Sequence, residues 1–292
     1  MKEMERLSIS QVNKILTSPS LLKKFLKGNS ISLKKRLGQN FLFDRNIINK
    51  IIKSMNLKKS DIIVEIGAGI GNITIFYLSK IKYGYLFEID KGFIRILNQI
   101  INLSKAEIIH IDFLKTDLHK ILDKEKKYKI FSNLPYSVAS QIILKIIENI
   151  KFFSEIYIMV PEIIYKRMRA STGNKDYSKF SVIVQTFLNI ENLFSVSRNS
   201  FFPVPEVDSV FLKLTPRDCI EINDIPKLKK FLNMLFRYRR KKIKKIFEDV
   251  FNLTLQEISQ ISEELSIDLN SRIQDISVET ITKLFKKIII FL

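Results

Sequence analysis

Between residues 61 and 160 the chain repeats one pattern: a short apolar run of strand length, then a stretch of helical periodicity. The runs are Asp61–Ile66, Tyr83–Ile89, Glu107–Ile111, Tyr128–Ser132 and Ile156–Val160. Amphipathic helical stretches stand around them at about 45–55, 72–80, 91–103 and 137–150. Strands separated by helices cannot pair as tight hairpins, so the pattern predicts an α/β fold with a largely parallel sheet covered on both faces. Two later apolar runs, Val182–Phe187 and Val207–Leu214, have no long helix between them and predict an antiparallel edge closing the sheet. After Pro216 the pattern is helical, with candidates near 225–250, 254–265 and 277–290. The expected organisation is an N-terminal segment over 1–30 with helical patches, a sheet domain over 31–216 and a helical domain over 217–292.

Each strand end carries polar or flexible residues, and ligands of open α/β sheets bind outside the carboxyl ends of the strands. Gly67-x-Gly69-x-Gly71 follows the first strand and lets backbone approach a ligand closely. It is not the dinucleotide fingerprint, because Asn72 stands where the third glycine belongs, so a nucleoside without phosphates suits the turn better than a pyrophosphate. Glu88, 21 residues after Gly67, can accept from ribose hydroxyls, and Asp112 from an adenine amino group. Asn133-Leu134-Pro135-Tyr136 ends the fourth strand. The Asn133 side-chain oxygen and the Leu134 carbonyl can accept the two N–H bonds of an exocyclic amine, and Tyr136 can stack on the attached ring. Taken singly, each acid could be a solvated turn residue and Asn133 an ordinary turn former. Together, an adenosine-bearing cofactor and an amine-acceptor site point to S-adenosyl-L-methionine and methyl transfer to nitrogen.

Composition narrows the partners. The chain of 292 residues carries 49 Lys and Arg against 30 Asp and Glu, a net charge of +19. The excess is clustered. Ten basic residues and no acid lie between Ile225 and Phe247, and six more without an acid between Leu21 and Phe43. Clusters of this kind are the footprint of a polyanion such as nucleic acid, the competing explanation being a solvated helix face. No run approaches the length of a transmembrane helix, and the N-terminus, with Glu3 and Glu5, lacks the apolar core of a secretion signal. The single cysteine, Cys219, excludes a disulfide framework, fits a reducing cytoplasm and reads as packing filler. His110 and His119 have no cysteine cluster near them, so no metal site is expected.

Five motifs occur in the order found in the ribosomal RNA adenine dimethyltransferases: Gln39-Asn40-Phe41-Leu42, Glu65-Ile66-Gly67-x-Gly69-x-Gly71, Phe87-Glu88-Ile89-Asp90, Asn133-Leu134-Pro135-Tyr136 and Phe202-Pro203-x-Pro205-x-Val207-Asp208-Ser209. From about Lys34 to the C-terminus, including Arg239-Arg240-Lys241 and Arg272, the chain resembles the bacterial small-subunit dimethyladenosine transferases. That resemblance implies a Rossmann-like methyltransferase sheet with a smaller all-α C-terminal domain. It implies a cofactor site of Asn40, Leu42, Gly67, Gly69, Glu88, Asp112 and Asn133. Asn133, Leu134, Pro135 and Tyr136 would hold the target adenine, with Phe202 on its other face, and the basic helical segment with Arg237, Arg239, Arg240, Lys241, Lys244 and Lys245 would meet RNA. The implied partner is 16S rRNA within the small ribosomal subunit, met by a monomeric cytoplasmic enzyme.

The chain departs from the family pattern at Val160-Pro161-Glu162, where Gln-Lys-Glu is usual, at Ser178 after Tyr177, where Gly is usual, and at Glu206, usually Lys. The first and last reduce positive charge near the target site. Within the family the rival is the large-subunit adenine methyltransferase of macrolide resistance. Gly173-x-x-x-Tyr177-Ser178-x-x-Ser181-Val182 and the basic helical tail favour the small-subunit enzyme. A non-catalytic assembly factor on the same fold is a second alternative, which intact Asn133, Tyr136 and Glu88 oppose.

Overall fold

The computed structural model describes residues 9–31, 33, 38–217 and 225–288. Glu3, Glu5, Lys34, Lys35, Arg36 and Cys219 lie outside the described residues. The chain divides into two compact units, Met1–Glu162 with Ile190–Thr215, and Ile163–Asn189 with Pro216–Leu292.

The first unit begins with two packed amphipathic helices, α1 (Ile9–Leu16) and α2 (Pro19–Gly28). Pro19 sits in the first turn of α2, where a missing N–H costs nothing. Next come β1 (Phe41–Leu42) and α3 (Arg45–Ser54), whose start is fixed by the Asp44 carboxylate accepting from the Asn46 and Ile47 N–H groups at 2.9 and 3.2 Å. Then follow β2 (Ile62–Ile66), α4 (Thr74–Tyr77), β3 (Tyr83–Glu88), α5 (Lys91–Ile100), β4 (Ala106–His110), β5 (Tyr128–Asn133), α6 (Ala139–Glu148) and β6 (Phe153–Pro161).

After α7 (Glu162–Met168) and α8 (Lys179–Phe187), the chain forms β7 (Leu188–Val196), β8 (Phe201–Phe202) and β9 (Ser209–Pro216). The seven-stranded sheet runs β4-β3-β2-β5-β6-β9-β7. Its first five strands pair in parallel and β9 joins β6 antiparallel, the expected α/β arrangement with a reversed edge. β1 and β8 make a separate antiparallel pair in which Phe41 faces Phe202 and Leu42 faces Phe201. The sheet's apolar faces are buried, with Ile63, Leu86, Phe131, Tyr157 and Phe211 in one core cluster against α3 and α4. Strand order reverses between β2 and β5, and chains leaving those strands part to either side, opening a crevice.

One expected strand is a helix. Val182–Phe187 lies in α8, not in the sheet, and the edge strand is β7, which follows it. Phe180, Val182, Ile183, Val184 and Phe187 are all buried, and a continuous apolar stretch such as Val182–Val184 shows no period that separates strand from buried helix. The deciding groups are at its start, where the Ser178 backbone N–H donates to the Ser181 hydroxyl at 3.1 Å. β7 gives no strand signal in the sequence because its polar residues, Asn189, Glu191 and Asn192, break the apolar run expected of a buried strand.

In the second unit α8 packs on α9 (Ile225–Arg237) and α12 (Val278–Ile288), with α10 (Ile243–Phe251) and α11 (Leu255–Leu265) completing the bundle. The helix expected over 225–250 is therefore two. Residues 237–242 hold five cations, whose mutual repulsion disfavours a continuous helix. The backbone at the break is satisfied elsewhere: Lys242 bridges to Arg272 and the Ile243 N–H donates to the Ser271 carbonyl at 2.9 Å. No helix among the described residues is long and apolar enough to cross a membrane.

Candidate active site

The crevice at the ends of β2, β3, β4 and β5 is a cleft that gathers seven of the sequence-predicted site residues: Asn40, Gly67, Gly69, Glu88, Asp112, Asn133 and Pro135. Leu42, Leu134, Tyr136 and Phe202 stand off it. Leu42 is fully buried, and its carbonyl accepts from Asn72 Nδ2 at 2.7 Å, so its side chain belongs to the core.

The floor is the glycine turn after β2. Gly67 has φ +73°, a region that favours glycine, and a Cβ built there meets no atom within 4 Å, so the backbone borders open cleft. Gly71 has φ +76° and a Cβ would come within 3.0 Å of Leu97, so its bare backbone is what seats α5 against the turn. Asn72 ties the turn to β1 through Leu42, and the Ser132 hydroxyl ties β5 to β2 by donating to the Ile66 carbonyl at 2.6 Å.

Glu88, at the end of β3, is 6% exposed. Its Oε2 accepts from the Gly69 N–H at 2.7 Å, and its Oε1 from the Ile89 and Asp90 N–H groups, both at 2.8 Å. Burial raises the Glu88 carboxyl above its ordinary range, against the lowering effect of these three N–H bonds. A carboxylate offers about four acceptor positions, so three are taken and one on Oε2 faces no donor among these bonds. Asp112 caps the turn after β4 through Oδ1, which accepts from the Leu114 N–H at 3.0 Å. Ile89 and Ile111, 47% and 37% exposed, border the same cleft and offer apolar surface to a planar ring.

Asn133 Nδ2 donates to the Asn40 carbonyl at 2.9 Å. That bond leaves the amide oxygen as its acceptor. The Leu134 N–H donates to the Met159 carbonyl at 3.0 Å, which pins the turn to β6. The Tyr136 hydroxyl shares a 2.7 Å hydrogen bond with Ser209 at the start of β9, and burial raises its pKa. Phe202 is held by its pairing with Phe41.

Sequence reasoning singled out none of Glu65, Phe41, Ile89 or Ile111 as a separate site residue, yet all line the cleft. Glu65 Oε2 accepts from the Thr74 and Tyr77 hydroxyls at 2.7 and 2.6 Å. Burial pushes its carboxyl up to about 7, those two hydrogen bonds pulling the other way. The available signal was an acid inside the apolar run Ile62-Ile63-Val64-Glu65-Ile66. The described lining holds three carboxylates, Glu65, Glu88 and Asp112, and no Lys, Arg or His. Among the described residues no group of His, Cys, Asp and Glu could hold a metal ion.

The basic segment of the second unit is partly committed to the protein itself. Arg239 donates from Nε to Gln274 and from a terminal nitrogen to the Lys175 carbonyl, both at 3.0 Å. Lys241 pairs with Asp249 at 3.1 Å, and Lys244 and Lys245 with Glu248 at 4.0 and 2.9 Å. Arg237 lies over the Tyr238 ring, 5.8 Å from its centre, and both Arg237 and Arg240 are exposed.

These features have relatives. The family described as "Ribosomal RNA adenine dimethylase" matches residues 30–289. The "Ribosomal RNA small subunit methyltransferase A" of Sulfurihydrogenibium sp. is 36% identical over 260 residues, covering 88% of this chain and 96% of that protein. The protein of the same description from Natranaerobius thermophilus is 34% identical over 294 aligned residues, covering 93% and 96%. Among solved structures, a dimethyladenosine transferase from Plasmodium falciparum superposes with a TM-score of 0.69 at 26% identity, covering 84% of this chain and 97% of that one. The 23S rRNA methyltransferase ErmE shares the fold, with a TM-score of 0.61 at 18% identity, covering 85% of this chain and 98% of that one. On the family match and these full-length relatives, the chain belongs to the ribosomal RNA adenine dimethylases.

Proposed function

We propose that this protein transfers methyl groups from S-adenosyl-L-methionine to N6 of adenines in 16S rRNA of the small ribosomal subunit, dimethylating two adjacent adenines in a 3′-terminal hairpin. It would act as a monomer in the cytoplasm, with residues 31–216 carrying the chemistry and 217–292 engaging RNA. The observation that carries the reading is the charge of the cleft. In a chain of net +19, a strand-end cleft whose described lining holds the acids Glu65, Glu88 and Asp112 and no Lys, Arg or His disfavours a phosphate-bearing nucleotide and suits a cationic nucleoside. S-adenosyl-L-methionine, when bound, supplies a methyl group activated on a sulfonium.

Glu88 and Asp112 would hold the nucleoside, Ile89 and Ile111 flank its base, and Gly67 leaves room for the rest. Asn133 Oδ1 and the Leu134 carbonyl would accept the two N–H bonds of the target amine. An adenine N6 lone pair is delocalised into its ring, and holding both protons in this geometry turns the lone pair out toward the methyl donor. The gain is one of positioning, with neutral acceptors rather than an acid and a base. Tyr136 and Phe202 would stack on the adenine once it is extruded from its helix. Incubation of undermethylated small and large ribosomal subunits with labelled cofactor tests the reading. Label should enter small-subunit RNA. Label confined to large-subunit RNA would assign the macrolide-resistance activity instead, and cofactor binding without transfer to either would indicate a non-catalytic factor.

A further inference from the structure

The α1–α2 pair lies before residue 30, where the family match begins, and packs on the catalytic unit. Val12, Leu16, Leu22 and Leu26 are buried in one cluster with Phe41, Ile70, Phe93 and Ile96. Phe41 and Phe93 also line the cleft, their rings edge to face at 5.4 Å, and Phe202 packs partly buried on the same cluster. These helices therefore stand one side-chain layer from the residue expected to stack on the target base.

Burying Leu22 and Leu26 turns the opposite face of α2 outward, and that face carries Lys23, Lys24 and Lys27, all exposed. Lys14 on α1 and Lys91 and Arg95 on the outer side of α5 are exposed as well. There is no acid between residues 9 and 31. Some exposed lysines elsewhere are matched within a helical turn, as in Lys120–Asp117, Lys126–Asp123, Lys245–Glu248 and Lys283–Glu279. None of these six cations has an ion pair among the described residues. A lysine face of this kind without acids suits a row of phosphates. Insertion into an anionic membrane needs exposed apolar side chains on the same face, and among the described side chains none of the exposed large apolar residues is on α1 or α2.

We propose that the outer face of α1 and α2, continued by the flank of α5, is a second RNA-binding surface that holds phosphodiester backbone of the substrate beside the transfer cleft. The inference rests on the RNA-methylating reading above. It tethers RNA on the catalytic unit itself, in addition to the basic segment of the helical unit.

The test is Lys23→Gln, Lys24→Gln and Lys27→Gln in one full-length variant, with binding to undermethylated small subunits measured across a salt series. Every phosphate that these lysines neutralise adds about 0.7–0.9 to the slope of log affinity against log salt. The slope of the variant should therefore be shallower by at least one such step, while calorimetry finds S-adenosyl-L-methionine affinity within about twofold of wild type. A folded variant that binds cofactor and keeps the wild-type slope and subunit affinity would overturn the proposal and make the lysines a solvated face. Wild-type binding to phosphatidylglycerol vesicles that the variant loses, with subunit binding unaltered, would overturn it in favour of a membrane. A wild-type protein that binds cofactor but no small subunit in the same assay would overturn the RNA reading and the inference with it.

Discussion

The amide nitrogen of Asn133 lies 2.9 Å from the carbonyl oxygen of Asn40, a hydrogen bond between residues 93 apart in sequence that joins the end of β5 to the loop before β1. It consumes the donor side of the amide and leaves the acceptor side for substrate. Asn133→Ala should remove methyl transfer by about a hundredfold or more, since misplacing a reacting group by an ångström costs that much. Cofactor affinity should stay within about tenfold, the scale of one or two hydrogen bonds. Single-turnover transfer and calorimetry on the same preparation check both, and near-normal turnover would remove the acceptor from the account.

Glu88 acts on the cofactor first. Its carboxylate also closes the glycine turn through the Gly69 N–H, so replacing it removes a ligand partner and loosens the floor beneath it. Hydrogen bonds to charged groups are worth about 1.5–3 kcal/mol, so Glu88→Ala should weaken S-adenosyl-L-methionine on the order of tenfold to a hundredfold or more. Unchanged affinity by calorimetry would show that the free position on Oε2 meets no ligand.

Tyr136→Ala and Phe202→Ala should each cut transfer to RNA without altering cofactor binding, base–aromatic stacking being worth about 1–3 kcal/mol per base. Tyr136→Phe keeps the ring and loses its tether to Ser209. It should retain much of the activity. If Tyr136→Phe is as damaging as Tyr136→Ala, the hydroxyl rather than the ring face carries the effect.

Glu65 makes stability depend on pH. Its carboxyl is raised by burial from 4.5 to about 7, so the folded chain holds the proton more tightly than the unfolded chain. The associated stability is fully present below about 4.5 and is lost as pH rises through about 7. At 1.36 kcal/mol per pH unit the shift corresponds to about 3 kcal/mol. Glu65→Gln removes this titration, so its stability relative to wild type should increase between about pH 5 and pH 8 in denaturant unfolding. A difference that is flat across that window would contradict the assignment.

Much of this arrangement was legible because a polar residue at the end of an apolar run is a local signal, and the parallel order of β2 to β5 turns four such ends into one cleft. Helix α8 was not, because Val182-Ile183-Val184 is buried on every side and carries no period. The charge of the cleft was not either: Glu65 hides inside a strand, and Ile89 and Ile111 look like ordinary strand residues until the fold exposes them. The basic segment looked uniform in sequence. Only the structure separates Arg239 and Lys241, already bonded within the unit, from the exposed Arg237 and Arg240.

That separation selects the variant. Arg237→Gln with Arg240→Gln should weaken small-subunit binding and lower its salt slope by about 0.7–0.9 for each phosphate no longer neutralised, with cofactor affinity untouched. Arg239→Gln should instead lower the stability of the helical unit, since it removes bonds to Gln274 and Lys175. Equal salt slopes for the double variant and wild type would make that face a solvated one.

The central claim is that the cleft presents an adenine N6 to a methyl donor, and the nucleosides of the product report on it directly. Undermethylated small subunits are incubated with S-adenosyl-L-methionine and either wild-type protein or Asn133→Ala, and the RNA is digested and mapped by mass. The account predicts N6,N6-dimethyladenosine at two adjacent adenines of 16S rRNA with wild type and none with Asn133→Ala. Folded, cofactor-binding wild type that yields no dimethyladenosine, or an undiminished yield from Asn133→Ala, would contradict it.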